Sequence, residues 1–362
     1  MITTCGLAGA LKPEEKDLFK GHLDRVEAVL TGENPPPYEI EIQPTSRCNL
    51  DCKHCFAKKL TCKRIQDRIG IPEMHVLINK ISEFHNNGFG VDVVKFCGTT
   101  GEPLVNPATV YGIELAKEHG KNVILFTNGL FLDKKTEDGR LYLDHLLNAN
   151  KINLSFDAAS KETFYRLKGV DGFDRIVGGL ETLAEKRDRY KKNLNLTTSY
   201  VIGKLNYKEV VEFARLMREV GVNEVKYRVD FTDLKSIRRL SGRIIEDLKK
   251  AQDYPSNGFK VTSVYSKEEI KNNGSAFEPT PKCFNRFFWA CVAPNGDLYD
   301  CGHRTYYGVP SYGNLLDNDF GELWNSSKRL EKRIPDNYCK FCSPTSCQRN
   351  KIMKRLAENG IS

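Results

Sequence analysis

No run of about 18 apolar residues occurs anywhere in this 362-residue chain, so nothing in it reads as a membrane span. The opening MITTCGLAGALKPEEKDLFK lacks a basic segment followed by a long apolar stretch. No secretory signal is therefore expected, and the cytoplasm is the expected compartment. The chain has no internal repeat, no low-complexity tract and no block of five or six like charges. Its formal net charge of +8 comes from Lys and Arg spread along its length. That pattern reads as a solvated basic surface, suited at most to a small acidic electron-transfer protein or an anionic substrate. It offers no basic stripe interleaved with aromatics, which argues against nucleic-acid binding. Hydrophobic residues make up 40% and charged residues 28%, enough for a sizeable globular core.

Cysteine is what the chain does have, with twelve in all. In an expected cytoplasmic setting they argue against a disulfide framework and for metal. They also cluster. Cys48, Cys52 and Cys55 form one group, and Cys339, Cys342 and Cys347 another, with Cys283, Cys291 and Cys301 shortly before the second. Cys5, Cys62 and Cys97 stand apart.

Residues 1–37 read as a leader packing against the main domain, closed by Pro35, Pro36 and Pro37, which stop any helix. Strand-like runs follow at Tyr38–Gln43, Val91–Phe96, Asn122–Thr127, Lys151–Phe156, Leu194–Val201 and Glu224–Val229. Helical periods lie between them, as in Met74, Leu77, Ile78, Ile81 and Phe84, or Val210, Phe213, Ala214 and Met217. Asn206 with Glu209 resembles a capping box. Six strands alternating with helices predict a parallel α/β sheet over residues 38–235, as a partial barrel or a doubly wound sheet. In either, chemistry belongs at the C-terminal strand ends. Residues 236–281 read as a helical linker, with a boundary near Asn272–Pro281. Residues 282–362 form a cysteine-rich tail. In it, Phe288–Ala293 and Leu298–Asp300 flank Pro294-Asn295-Gly296-Asp297, a hairpin signal.

Cys48, Cys52 and Cys55 are spaced C-x3-C-x2-C, directly after the first strand. Three thiolates at that spacing can hold one face of a cubane cluster and leave the fourth iron open for chemistry. A structural zinc site completed by Cys62 is the competing reading, although zinc sites usually show C-x2-C pairs. After the second strand comes Cys97-Gly98-Thr99-Thr100-Gly101-Glu102-Pro103. Asn128 ends the third strand, and Ser155-Phe156-Asp157 the fourth. Asn206 and Arg228 belong to the fifth and sixth units, where a helix cap and a surface salt bridge compete with a pocket role.

The cysteine motif and its placement resemble the signature of the radical S-adenosylmethionine (SAM) superfamily, with His54 where that family commonly has an aromatic residue. The resemblance covers roughly residues 38–231 and 282–350. It implies a partial (β/α)6 barrel with a small cysteine-rich auxiliary-cluster domain. It also implies a [4Fe-4S] cluster on Cys48, Cys52 and Cys55 that binds SAM and cleaves it to a 5′-deoxyadenosyl radical. Thr100, Gly101, Glu102 and Pro103 resemble the segment receiving the SAM amino group. Asn128, Ser155 and Asp157 match positions contacting ribose and carboxylate, and His54 belongs to the same cofactor set. Cys97, beside that turn, is a candidate hydrogen-atom donor or simply a small buried hydrophobe.

The tail resembles the SPASM and twitch auxiliary-cluster domains, whose pattern is C-x9-15-G-x4-C followed by C-x2-C. Twelve residues separate Cys283 from Gly296. The resemblance implies one auxiliary [4Fe-4S] cluster on Cys283, Cys301, Cys339 and Cys342, with Cys291 or Cys347 as substitutes. A zinc knuckle is the alternative. The expected activity is radical-initiated oxidation of a small polar metabolite, such as a sugar or aminocyclitol, with electrons from a flavodoxin or ferredoxin. Peptide or protein maturation, redox-neutral epimerisation or dehydration, and a zinc-bound scaffold are the alternatives.

Overall fold

The computed structural model describes residues 7, 9–55, 67–99, 101–253, 258–263, 282–306, 308–332, 342 and 344–359. Thr100, Cys62, Cys339 and the expected boundary segment Asn272–Pro281 lie outside the described residues.

Six strands alternate with helices through the first two thirds of the chain. They are β1 (Glu39–Ile42), β4 (Val93–Phe96), β5 (Asn122–Thr127), β6 (Lys151–Ser155), β7 (Asn195–Ile202) and β8 (Glu224–Val229). A small hairpin, β2 (His85–Asn86) with β3 (Phe89–Gly90), precedes β4. The six pair in parallel in sequence order, as a partial (β/α)6 barrel requires. The sheet is larger than the sequence suggested. β9 (Lys260–Ser263), inside the expected helical linker, adds in parallel to β8. At the other edge β10 (Trp289–Val292) of the predicted hairpin pairs in parallel with β1 and antiparallel with β11 (Leu298–Tyr299). The result is an open nine-stranded sheet, in which the tail extends the barrel by strand addition.

The strands alternate with period two. On β1 and β8 every second residue is fully covered. Ile40, Ile42, Val94, Phe96, Val123, Leu125, Val225 and Tyr227 turn into the core under the helices. The opposite face is mixed, carrying the polar Glu39, Glu41, Lys95, Lys151, Asn153, Ser199, Glu224, Lys226 and Arg228 beside the apolar Val93, Ile124, Phe126 and Val201. Apolar strand composition alone did not announce those charges.

Outside the sheet lie amphipathic helices whose buried residues are those the periodicity picked out. Ile71–Glu83 buries Met74, Leu77, Ile78 and Ile81, and Val210–Glu219 buries Val210, Phe213, Ala214 and Met217. Lys161–Lys168, here α1, starts on Ser160, whose hydroxyl accepts from the Thr163 amide. It stops at Gly169, whose φ of 77° suits a residue without a Cβ. The expected capping box at Asn206 and Glu209 is absent: the Asn206 side chain caps nothing. It bridges strand ends instead, donating to the Val201 and Asp157 carbonyls. Glu209 accepts from the Ala159 amide and the Ser160 and Thr163 hydroxyls, fastening the start of a different helix, α1.

The N-terminal segment packs partly against the barrel and partly against the tail. Leu7, Leu11, Phe19, Val26 and Val29 share an apolar cluster with Phe284, Phe288, Ile352, Met353 and Leu356. Arg25 reaches the barrel side, pairing with Asp92 at 2.7 Å. The tail is tied to the barrel at its far end too. Lys80 donates to the carbonyls of Leu315, Leu316 and Asn318 at 2.8–3.0 Å. No helix among the described residues is long and apolar enough to cross a membrane.

Candidate active site

The loop bearing Cys48, Cys52 and Cys55 leaves the C-terminal end of β1 and is fixed along its length by backbone bonds. The Asn106 side chain donates to the Pro44 and Ile69 carbonyls at 2.8 and 2.7 Å. The Glu102 amide donates to the Arg47 carbonyl at 2.8 Å, and the Lys53 amide to Leu167 at 3.0 Å. Gly101 is required by this arrangement. A Cβ there would stand 2.2 Å from the Thr45 carbonyl oxygen and 2.8 Å from that of Arg47. The second strand's turn and the cysteine loop therefore touch backbone to backbone.

Above the loop opens a cavity of about 360 Å³, the scale of a small-molecule site. Cys48, Cys52, Cys55, His54, Cys97, Gly101, Glu102, Pro103, Asn128, Ser155 and Asp157 all line it. The described cluster and cofactor residues expected in the barrel thus face one space, whereas Asn206 is not among its lining residues. Arg228 lines it as well, so it is a cavity residue and its place there answers the surface alternative. A second, smaller hollow of about 200 Å³ adjoins it, sharing His54, Val201 and Asp230.

Glu102 is buried and holds the rim together. Its Oε1 accepts from Thr127 Oγ1 at 2.6 Å and from the Leu104 amide at 3.0 Å, and its Oε2 from the Asn128 amide at 2.7 Å. Burial pushes its carboxyl up to about 7 despite these three donors. Asn128 in turn donates to Asn49 Oδ1 at 2.8 Å, joining the third strand end to the cysteine loop.

Asp157 has a left-handed φ of 67°, uncommon outside glycine. Its Oδ1 accepts from the Val201 amide at 2.7 Å. Its Oδ2 pairs with the Lys168 ammonium and lies 3.2 Å from His54 Nε2. Burial alone would raise the Asp157 carboxyl, but Lys168 and His54 hold it well below the usual range. Burial likewise opposes the charge on Lys168, and Asp157 outweighs it. Lys168 was missed in the sequence, where it is merely a basic residue in the last turn of a helix. Cys97 is different in kind. Burial, reinforced by Glu41, drives its thiol far up, so it stays protonated.

In the tail, the Cys342 and Cys347 thiols lie within hydrogen-bonding reach of each other, and Cys283 and Cys301 lie near enough to raise the Cys342 thiol further. Cys347 pairs with Cys342, while Cys291 is an electrostatic neighbour of Cys301. Cys291 is fully buried on β10, in register with Glu41 and 4.0 Å from its Oε1. Beside the group, Asp300 accepts from the Tyr312 hydroxyl at 2.7 Å, with Arg286 at 3.6 Å and Arg304 at 3.4 Å.

The donor sets suit iron–sulfur clusters. At each site the described cysteines are unbridged, and at the first they share one cavity rim with a buried cation behind them. Among the described residues, no three His, Cys, Asp or Glu side chains converge on a single-ion position.

Comparison with known proteins agrees with this chemistry. The sequence profile of the radical SAM superfamily matches residues 42–229. That of an iron–sulfur cluster-binding domain, SPASM, matches residues 283–348. A probable GTP 3′,8-cyclase of Saccharolobus islandicus is 26% identical over 220 residues, 60% of this chain. The chain spans 65% of the length of that relative. An AdoMet-dependent heme synthase of Methanosarcina barkeri is 23% identical over 84% of this chain and 88% of its own. In fold, Streptococcus suis SuiB bound to S-adenosylmethionine superposes with a TM-score of 0.60 at 16% identity, covering 94% of this chain and 74% of SuiB. The enzyme anSMEcpe with bound AdoMet gives 0.52 at 19%, covering 90% and 98%.

Proposed function

This chain belongs to the radical SAM superfamily, and from that premise we propose that it is an oxidoreductase acting on a small, hydrophilic metabolite such as a sugar or aminocyclitol. Its cofactors are a [4Fe-4S] cluster with S-adenosylmethionine and auxiliary iron–sulfur. When bound, these supply one electron to SAM and, through its cleavage, a 5′-deoxyadenosyl radical able to abstract a hydrogen atom.

Cys48, Cys52 and Cys55 would hold the SAM-site cluster, and Gly101, Glu102 and Pro103, with Thr100, would border the SAM amino group. Glu102 would act mainly by fixing Asn128 and the turn, since its oxygens already accept three protein hydrogen bonds. Ser155 and Asn128 would meet the ribose and carboxylate. His54 and Asp157 would shape that wall from behind, being engaged with one another. Cys283, Cys301 and Cys342, with Cys339 or Cys347, would hold one auxiliary cluster. A flavodoxin or ferredoxin would deliver the electron, in keeping with the +8 net charge.

The observation that carries the substrate class is a pair of charged clusters on the inner face of the sheet. Cys97, Phe126, Ser155, Val201 and Arg228 line the cavity, and their strands carry Lys95, Lys151, Asn153, Ser199, Glu224 and Lys226 on the same face. One wall holds Lys95 at 2.6 Å from Glu39 and 2.9 Å from Glu41. The opposite wall holds Glu224 with Lys151 at 3.4 Å and Lys226 at 3.5 Å. Gln43 and Thr99 extend the first wall to the rim, both bonded to Glu41. Such charges, partly wetted and in fixed positions, complement hydroxyl and amino groups and would reject a greasy ligand.

Anaerobic reconstitution with iron and sulfide counting, followed by dithionite and SAM, should yield 5′-deoxyadenosine. A panel of polyols and aminocyclitols should then include one converted to a product two mass units lighter. Zinc in place of iron, with no 5′-deoxyadenosine, would end the proposal. Glu41→Gln and Lys95→Met should leave SAM cleavage intact and uncouple it from substrate oxidation.

A redox-neutral reaction is favoured by one specific observation, the protonated Cys97 thiol on the cavity wall. Its mark would be one solvent deuterium in a product of unchanged oxidation level, abolished by Cys97→Ala.

A further inference from the structure

The assignment of Cys48, Cys52 and Cys55 to a cluster leaves unexplained the buried cation beside them. Lys168 is 2% exposed, at the end of α1, and it lines the same cavity as the three thiols. Burying an ammonium is costly unless it is paired and hydrogen-bonded. Its partner, Asp157, is equally buried, has a left-handed φ, and has its other carboxylate oxygen held by the Val201 amide. The Asp157 carbonyl accepts from Asn206 at 2.8 Å. Asp157 also meets His54, which lies inside the cysteine motif. The Lys53 amide, next to His54, bonds to Leu167, next to Lys168. Two neighbouring residues of the loop are thus tied to a neighbouring pair at the helix end and to the turn that faces it.

The ammonium pairs with Asp157 and lines the same cavity as the Cys48, Cys52 and Cys55 thiols. A cation and an anion at fixed positions near a cluster act on its electron affinity with opposite sign. Reduction adds negative charge, which the ammonium stabilises and the carboxylate opposes, and a dry surrounding strengthens both effects.

We infer that Lys168 and Asp157 are positioning residues that set how readily the SAM-site cluster accepts its electron. Lys168 makes reduction easier, Asp157 fixes the ammonium and tempers it, and His54 ties the pair to the cysteine loop. This rests on the cluster assignment above.

The test uses the full chain, reconstituted anaerobically, as wild type, Lys168→Met, Lys168→Arg and Asp157→Asn. Iron and sulfide are counted. The midpoint potential is then measured by EPR-monitored titration of the signal that changes when SAM is added. Lys168→Met should shift that midpoint to lower potential, Lys168→Arg should restore it, and Asp157→Asn should shift it upwards. Opposite shifts from two partners of one ion pair are the signature of a field. If Lys168→Met fails to retain iron, the upward shift in Asp157→Asn and the wild-type value in Lys168→Arg still carry the inference. Unchanged potentials at full iron content would overturn it. So would loss of SAM-site iron in both Lys168→Met and Asp157→Asn, which would make the pair a purely mechanical latch. A wild-type protein with no SAM-responsive signal would instead overturn the cluster assignment.

Discussion

The two cysteine groups are built by different physics. Cys48, Cys52 and Cys55 lie on one short loop, whose flank accepts from the Asn106 side chain and the Glu102 amide, and whose own Lys53 amide donates to the Leu167 carbonyl. The thiols of the second group come from far apart. Cys283 precedes the β10–β11 hairpin, Cys301 follows it, and Cys347 sits on the helix Pro344–Glu358. What brings these together is packing: Phe284 and Phe288 share a cluster with Ile352, Met353 and Leu356, and the Phe284 amide donates to Asn350 Oδ1 at 2.5 Å. A local motif fixes its own geometry, whereas a dispersed one inherits geometry from the core around it. The first group should therefore fail by losing a ligand, and the second by losing either a ligand or its packing.

The largest expected effect separates the groups by function. Cys52→Ala should remove the SAM-site cluster, about four irons, and abolish 5′-deoxyadenosine formation while leaving the auxiliary iron in place. Cys301→Ala should do the reverse, losing auxiliary iron while SAM cleavage on dithionite addition continues. Iron counting and product chromatography on both proteins decide it. If Cys301→Ala also stopped SAM cleavage, the two sites would not be separable.

Next in size is the contrast within the second group. Cys347 lies within hydrogen-bonding reach of Cys342, whereas Cys291 sits against Glu41 on the inner face of β10. Cys347→Ala should therefore lower auxiliary iron retention, and Cys291→Ala should keep it. The opposite pattern would place Cys291 in the ligand set.

This contrast also marks how far the sequence could be read. The C-x3-C-x2-C spacing, its position after β1 and the turns at Glu102, Asn128 and Ser155 need only local periodicity and strand order. Those residues do converge on one cavity. Strand β9 escaped because Lys260–Ser263 is only four residues long, too few for a period-two pattern to stand out. Pairing of β10 with β1 joins residues 250 positions apart, and no local pattern encodes that. Asn206 and Glu209 carried a capping signal, but tertiary partners claimed both side chains. The Asp157–Lys168 pair was invisible because a basic residue in a helix's last turn is commonplace. The second group's membership was unreadable for the same reason as β10: it depends on how the tail folds back.

A smaller effect probes how tightly the first group's loop is packed. Gly101→Ala places a Cβ against the Thr45 and Arg47 carbonyls, both backbone atoms that cannot swing away. The change should destabilise the protein by about 1–3 kcal/mol and weaken SAM binding by calorimetry. Gly120→Ala, with open space but a positive φ of 72°, is the control. It should cost stability alone and leave SAM affinity unchanged.

The smallest effect belongs to the packing that supports the second group. His22 is buried between Phe19, Tyr38 and Phe288, with its ring stacked on Tyr38 at 4.5 Å. Burial, with Arg349 adding repulsion, lowers its imidazole to about 4 from an ordinary 6.5. The unfolded chain therefore binds a proton between those values that the folded chain does not. Above pH 6.5 the residue has no effect on the pH dependence. As pH falls from 6.5 to 4 it removes stability, by about 2 kcal/mol allowing for partial screening. His22→Phe keeps an aromatic ring on Tyr38 and cannot titrate. Its unfolding free energy, from denaturant melts between pH 7 and pH 4.5, should fall less steeply than that of the wild type. Because His22 lies in the tail's support and away from the cysteine loop, SAM cleavage at pH 7 should be the same in both proteins. Parallel pH profiles would mean that the folded protein opens enough at this point to protonate the ring, and the second group would then rest on a looser core than its packing indicates.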